Sequence, residues 1–237
     1  MTVARSHRPF LSALASLVLA APLPAVANEL APTGEWSANE AGQANLPPMG
    51  WNSWNAFHID IDEGKVMASA RIIVESGLAS KGYRFVNIDD GWWLKRNLAD
   101  GRMVVRTSTF PSAALPDGRT SFRPLTDKLH NMGLKAGIYS DIGRNSCGQI
   151  YGYGAKTNPE GSQAEREVGL YNHIDQDIGL YFKEWGFDYI KVDGCGIRAL
   201  TPTYPLVANG TYRALTPLID FDSTNRTNIP AVRGLYE

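Results

Sequence analysis

The sequence predicts an α/β fold: a parallel sheet covered by helices, of the kind that closes into a (β/α)8 barrel. Three observations point there. From residue 47 onward, short apolar extended runs alternate with amphipathic helical runs, in the order strand, helix, strand, helix, strand, helix, strand. Acids and aromatics gather where those strands end, at Trp51 and Trp54, Asp89 and Asp90, Tyr139 and Asp141, and Asp193; barrel active sites are built on that rim. No Gly-x-Gly-x-x-Gly turn follows the first strand and no P-loop is present, which counts against a doubly wound nucleotide-binding sheet. About four β/α units are present, so the chain reads as the first half of the barrel.

Residues 1–27 read as a secretory signal peptide. Arg5 and Arg8 precede the apolar run LSALASLVLAAPL, and Ala-Val-Ala at 25–27 supplies the cleavage site. The alternative, a membrane anchor, needs a longer apolar run. Residues 28–46 form a polar lead-in, and 47–237 the N-terminal part of a barrel domain. PPMGWNSW is extended. Residues 62–82 have helical spacing through Val66, Ala70, Ile73 and Leu78 and close on Gly82. YRFVNIDD is a strand, and a turn-rich excursion follows from Gly91 to Gly118. FRPLTDKLHNMG is a helix stopped by Gly133, and LKAGIYSDIG is a strand. Residues 162–186 are mostly helical, and FDYIKVDGC is the last strand. A Thr- and Pro-rich stretch then reads as a long loop over the rim, before a helix that Asn228 caps. A half-barrel with an unpaired strand edge is expected to be a fragment.

Composition narrows the function. The chain has 237 residues, 43% of them hydrophobic, and a net charge of −1. Near-neutrality gives no support for nucleic acid or an anionic membrane as partner. Its two cysteines, Cys147 and Cys195, cannot build a cysteine-rich zinc site, and no histidine sits at ligand spacing to them. In an exported chain they read first as a disulfide, and otherwise as two buried free thiols.

The strand ends carry the chemistry. Side chains alternate along a strand, so Lys191 and Asp193 in KVD point the same way. A cation beside a carboxylate favours its ionised form, which can act as a nucleophile; the alternative is a structural ion pair at a sheet end. Asp89 and Asp90, followed by Gly-Trp-Trp, can accept hydrogen bonds from vicinal sugar hydroxyls beside an aromatic face. They could instead cap the next helix. DIDEG at 60–64 and HIDQD at 173–177 place acids at partly calcium-loop-like spacing, but they lack the full ligand series and read as helix-start and helix-surface acids. Asn209-Gly-Thr and Asn225-Arg-Thr are glycosylation sequons, meaningful in a host that glycosylates.

Taken together and in order, PPMGWNSWNAF, GYRFVNIDDGWW, DGRMVVRTSTFPS, GLKAGIYSDIG followed by cysteine, and FDYIKVDGCG resemble glycoside hydrolase family 27, the α-galactosidase family, over roughly residues 47–196. The resemblance implies a (β/α)8 barrel and a retaining mechanism without metal or organic cofactor. It makes Asp193 the nucleophile, and Asp89 and Asp90 the acids that bind the galactose hydroxyls at C4 and C6. Lys191 matches the lysine that contacts the sugar, Trp51 the tryptophan that walls the pocket, and Tyr139 the tyrosine of the Gly-Ile-Tyr strand. Cys147 and Cys195 match a pair that forms a disulfide beside the site. The family's acid/base is an aspartate on a later strand, beyond Glu237; Asp220 and Asp222 match no such motif. The implied activity is hydrolysis of terminal α-linked galactose by a secreted or periplasmic enzyme. The alternatives are an α-N-acetylgalactosaminidase of the same family and a non-catalytic galactose-binding chain. The Asp89–Asp90 pair favours a substrate with a C6 hydroxyl over a pentopyranoside.

Overall fold

The computed structural model describes residues 47–152, 160–219 and 229–236. The signal peptide and lead-in, Asp220, Asp222, the Asn225 sequon and the Asn228 cap therefore lie outside the described residues. Strand β1 (Gly50–Asn52) leads into a short helix α1 (Trp54–Phe57) and then α2 (Glu63–Glu75). Next come β2 (Phe85–Ile88), a hairpin of β3 (Trp93–Arg96) and β4 (Met103–Val105), and α3 (Arg123–Asn131). β5 (Lys135–Asp141), α4 (Cys147–Tyr151) and α5 (Ile174–Ile178) follow. β6 (Tyr189–Asp193), α6 (Pro205–Ala208) and α7 (Ile229–Tyr236) complete the order.

Four strands form one sheet in the order β1-β2-β5-β6, every pair parallel. Parallel neighbours need a crossover, and here α2, α3 and α5 supply one each. α2 shows why these crossovers are helical. Asp62 caps it by accepting from the Lys65 N–H at 2.8 Å, and Val66, Ala70 and Ile73 bury the face that meets the sheet. The core lies between the helices and the sheet, where Trp92 packs edge-on against Phe122, Tyr181 and Trp185.

Four expectations change. The first helix ends at Glu75, because Gly77 takes a positive φ of 79°; Leu78 is exposed and precedes a separate 3-10 turn, Ala79–Lys81. The turn-rich excursion contains the β3–β4 hairpin, whose register slips between Trp93 and Lys95. Residues 162–173 are not helical. At 169–171 the backbone bonds go across to the end of β5 and the loop after it, among them Gly169 to the Arg144 carbonyl at 2.9 Å and Leu170 to that of Asp141 at 2.7 Å. Gly169 is required there, since a Cβ would lie 2.0 Å from the Gly143 oxygen. The acids of HIDQD are not all on a surface either: Asp177 is fully buried against Arg96. The reading of Asp62 as a helix-start acid stands.

Candidate active site

The parallel register delivers the functional side chains to one end of the sheet. Tyr139 lies beside Lys191, and Asp141 beside Asp193. Asp89 and Asp90 follow directly from the last residue of β2. No helix follows them, so the cap reading fails. Together with Trp54, Cys147 and Tyr151, all of these except Asp141 line a cleft of about 430 Å³, open mouth included.

Its floor is acidic and closed. Asp89 and Asp90 are each 1% exposed. Asp89 accepts from the Asp90 N–H at 2.9 Å and from Lys191 Nζ at 2.8 Å. Asp90 accepts from the Gly91 N–H, from Trp93 Nε1 at 2.8 Å and from the Gly148 N–H at 2.7 Å. Burial pushes the Asp90 carboxyl up to about 6, against the pull of the Gly148 and Trp93 hydrogen bonds. Each carboxylate keeps acceptor capacity for a ligand hydroxyl.

Lys191 joins the floor to Asp193. Its Nζ lies 2.8 Å from Asp89 and 3.6 Å from Asp193 Oδ2, and 5.3 Å from the centre of the Tyr139 ring. Burial alone would lower the ammonium, but the Asp89 hydrogen bond and the two carboxylates outweigh it and hold Lys191 above its ordinary value. Alternation along β6 thus brings Lys191 and Asp193 to one side, although the closer partner of the lysine is Asp89.

The disulfide between Cys147 and Cys195 is formed, with Cα atoms 4.9 Å apart, and it excludes the free-thiol reading. It ties the start of α4 to the turn after β6. Beneath it, the buried Asp141 carboxylate accepts from the Gly143, Cys195 and Gly196 N–H groups at 2.7, 2.8 and 3.0 Å. Burial pushes Asp141 up to about 7, with those three donors opposing. The two chain segments cross so closely that a Cβ on Gly143 would lie 2.0 Å from the Gly196 carbonyl carbon. Asp141, Cys147 and Cys195 stand within metal-ligand distance of one another, but both sulfurs are consumed by the disulfide.

A family model described as alpha galactosidase A, of the melibiase group, matches residues 46–216. The chain belongs to this family. It is 42% identical over 158 residues to "Probable alpha-galactosidase B" of Talaromyces emersonii, covering 66% of this chain and 29% of that one. Among solved structures, alpha-galactosidase I from Mortierella vinacea is 31% identical with a TM-score of 0.52, covering 72% of this chain and 39% of that one. The Saccharomyces cerevisiae enzyme with raffinose is 25% identical with a TM-score of 0.53, covering 74% and 33%. The chain spans about a third of the length of the curated relatives it matches.

Two aromatic expectations for this family member are corrected. Trp51 does not line the cleft. It pairs in register with the buried Val86, so alternation turns it to the helix side, where it meets the Phe57 ring and borders a groove with Ile72 and Ile73 of α2. The cleft tryptophan is Trp54, at the start of α1 just past the strand end, with its N–H bonded to Asn52 Oδ1. Trp92 and Trp93 are each 1% exposed and offer no aromatic face to a ligand. Trp92 belongs to the core, and Trp93 holds Asp90 through its indole N–H. Tyr151, which no sequence signal singled out, lines the mouth. Among the described residues no helix is long and apolar enough to cross a membrane.

Proposed function

We propose that residues 47–237 are the N-terminal part of the catalytic barrel of an exported, retaining α-galactosidase, with residues 1–27 as its export signal. Its substrates are terminal α-galactosides of the raffinose type. The observation that carries this reading is Lys191, set between Asp89 and Asp193 in one cleft. That arrangement aims an accessible carboxylate at the sugar while the closed acidic floor holds its hydroxyls.

In this reading the Asp193 carboxylate oxygen bonds to the anomeric carbon as the glycosidic C–O bond breaks, and the leaving oxygen takes a proton from a second carboxyl. Water then attacks the same carbon, gives up a proton to that carboxyl and displaces Asp193, so galactose leaves with its α configuration retained. Retaining chemistry sets the two carboxyls about 5–5.5 Å apart. We assign the second to a barrel strand after β6, as the family resemblance implies.

Fluoride leaves without protonation, so 5-fluoro-α-galactosyl fluoride tests the first step on this chain as it stands. A 5-fluorogalactosyl adduct on the peptide carrying Asp193 is the expected result. An adduct on Asp89 or Asp90 instead, or none, sinks the assignment.

The two tryptophans give a second check. Trp54→Ala should weaken galactose binding about five- to tenfold, the range of one aromatic contact. Trp51→Ala should leave the affinity within about twofold and lower the melting temperature instead, because Trp51 packs on the core. Calorimetric titration with galactose and a thermal melt of each variant decide it; reversed roles would restore Trp51 to the pocket.

A further inference from the structure

Beyond the galactose pocket, the mouth of the cleft has a wall of its own. The floor residues Asp89, Asp90 and Tyr139 are each 1% exposed, whereas Tyr151 is 50% exposed although it lines the same cleft. A single exposed aromatic is ordinary on a protein surface. This one is held in place. Tyr151 is the last residue of α4, whose first residue, Cys147, is bonded to Cys195. A capping box between Ser146 and Gln149 fixes the same helix, and Gln149 Nε2 donates to the Arg166 carbonyl at 2.7 Å. On the other side of the disulfide, the turn Cys195–Ile197 ends at Arg198. The Arg198 guanidinium sits over the Tyr151 ring, 5.9 Å from its centre. One covalent link therefore brings together a tyrosine and the arginine that braces it, with Asp193 two residues before Cys195.

We propose that Tyr151 forms the subsite for the sugar attached to the galactosyl unit, and that Arg198 positions its ring. The inference rests on the galactosidase reading of the cleft. With galactose held at the closed acidic floor and its anomeric carbon at Asp193, whatever is linked through the anomeric oxygen leaves by the mouth. There the wall is an aromatic face rather than a carboxylate. Such a face suits the apolar side of a second pyranose or furanose ring, and it adds nothing for a methyl aglycone. The ligand class is thus an oligosaccharide galactoside, with the preference set outside the galactose pocket.

Calorimetric titration in an Asp193→Asn background, which holds substrate without turning it over, separates the two parts. The ligands are an α-1,6-galactosyl trisaccharide and methyl α-galactoside. Tyr151→Ala is expected to weaken the trisaccharide about tenfold and methyl galactoside less than about twofold. Tyr151→Phe keeps the face and should bind both like the parent. Arg198→Ala should fall between, affecting the trisaccharide alone. Both side chains are exposed, so these variants fold. Equal weakening of both ligands would make Tyr151 part of the galactose pocket and overturn the proposal, as would no change in either. Failure of the wild-type chain and of this background to bind either ligand would overturn the galactosidase reading itself, a distinct result.

Discussion

In the complete enzyme, replacing Asp193 by asparagine should lower turnover of an α-galactoside by on the order of 10⁴-fold or more, about 5.5 kcal/mol of lost transition-state stabilisation. The carboxamide has nearly the same shape and leaves an oxygen near Lys191, but it cannot form the glycosyl ester on which the retaining route depends. The Asp193 side chain is 38% exposed at the strand end, so the substitution removes no buried packing and the melting temperature should stay within about a degree. Galactose affinity should change far less than kcat, because in the proposed site Asp89, Asp90 and Lys191 remain to hold the sugar. A chemical signature separates a nucleophile from a binding residue. In Asp193→Gly, azide can occupy the vacated space and attack an α-galactosyl fluoride from the side where Asp193 stood, which yields β-galactosyl azide. Activity within tenfold of the parent, or an azide product of α configuration, removes Asp193 from the role of nucleophile.

Why Asp193 was legible and Trp54 was not comes down to how side-chain direction is encoded. A five-residue strand that ends on Lys-x-Asp carries its own alternation, so both charges fall on one side whatever the neighbours do, and the register with β5 puts Tyr139 and Asp141 alongside. Gly-Trp-Asn is a three-residue strand, and the pattern within it does not say which face is the barrel interior. Only pairing with Val86 decides that Trp51 turns outward, and pairing is a tertiary fact. The second tryptophan, just past the strand end, escapes the alternation and reaches the cleft. The acids at 89–90 were readable because two carboxylates at a strand end have few other uses. The adjoining tryptophans misled because Trp92 and Trp93 serve core packing and the Asp90 hydrogen bond, not a ligand. Residues 162–173 carry helix-forming composition, yet the N–H groups of Gly169, Leu170 and Tyr171 are claimed by the carbonyls of Arg144, Asp141 and Gly143, which propensity cannot anticipate.

That claimed segment is where the largest loss of stability is expected. Arg96→Leu should cost about 3–5 kcal/mol, the range for breaking a buried pair. At about 2–4 °C per kcal/mol for a chain of this size, the melting temperature should drop by roughly 10 °C. Arg96 and Asp177 are 1% and 0% exposed, so water cannot replace the lost partner. All five guanidinium donors are used: two on Asp177, at 3.0 and 2.7 Å, and one each on the carbonyls of Gly101, Glu167 and Gly169. Burial pushes the Asp177 carboxyl up and Arg96 pulls it back; without the arginine that carboxyl and three carbonyls lose their donors. Arg96→Lys supplies three donors without the planar fork and should recover less than half. By contrast, Arg123→Ala at the half-exposed pair with Asp127 should cost under about 1 kcal/mol. The double variant Arg96→Met/Asp177→Leu divides the loss. Matched apolar replacement of a buried pair is often nearly neutral, so whatever penalty remains belongs to the three orphaned carbonyls. Because Glu167 and Gly169 lie on the segment that pairs with the loop beneath the disulfide, each destabilised variant should also be cut faster between residues 162 and 172 in limited proteolysis. A double variant as stable as the parent would mean that the carbonyl contacts contribute nothing. A single variant within about 1 kcal/mol of the parent would show that the Arg96–Asp177 pair does not hold this segment in place.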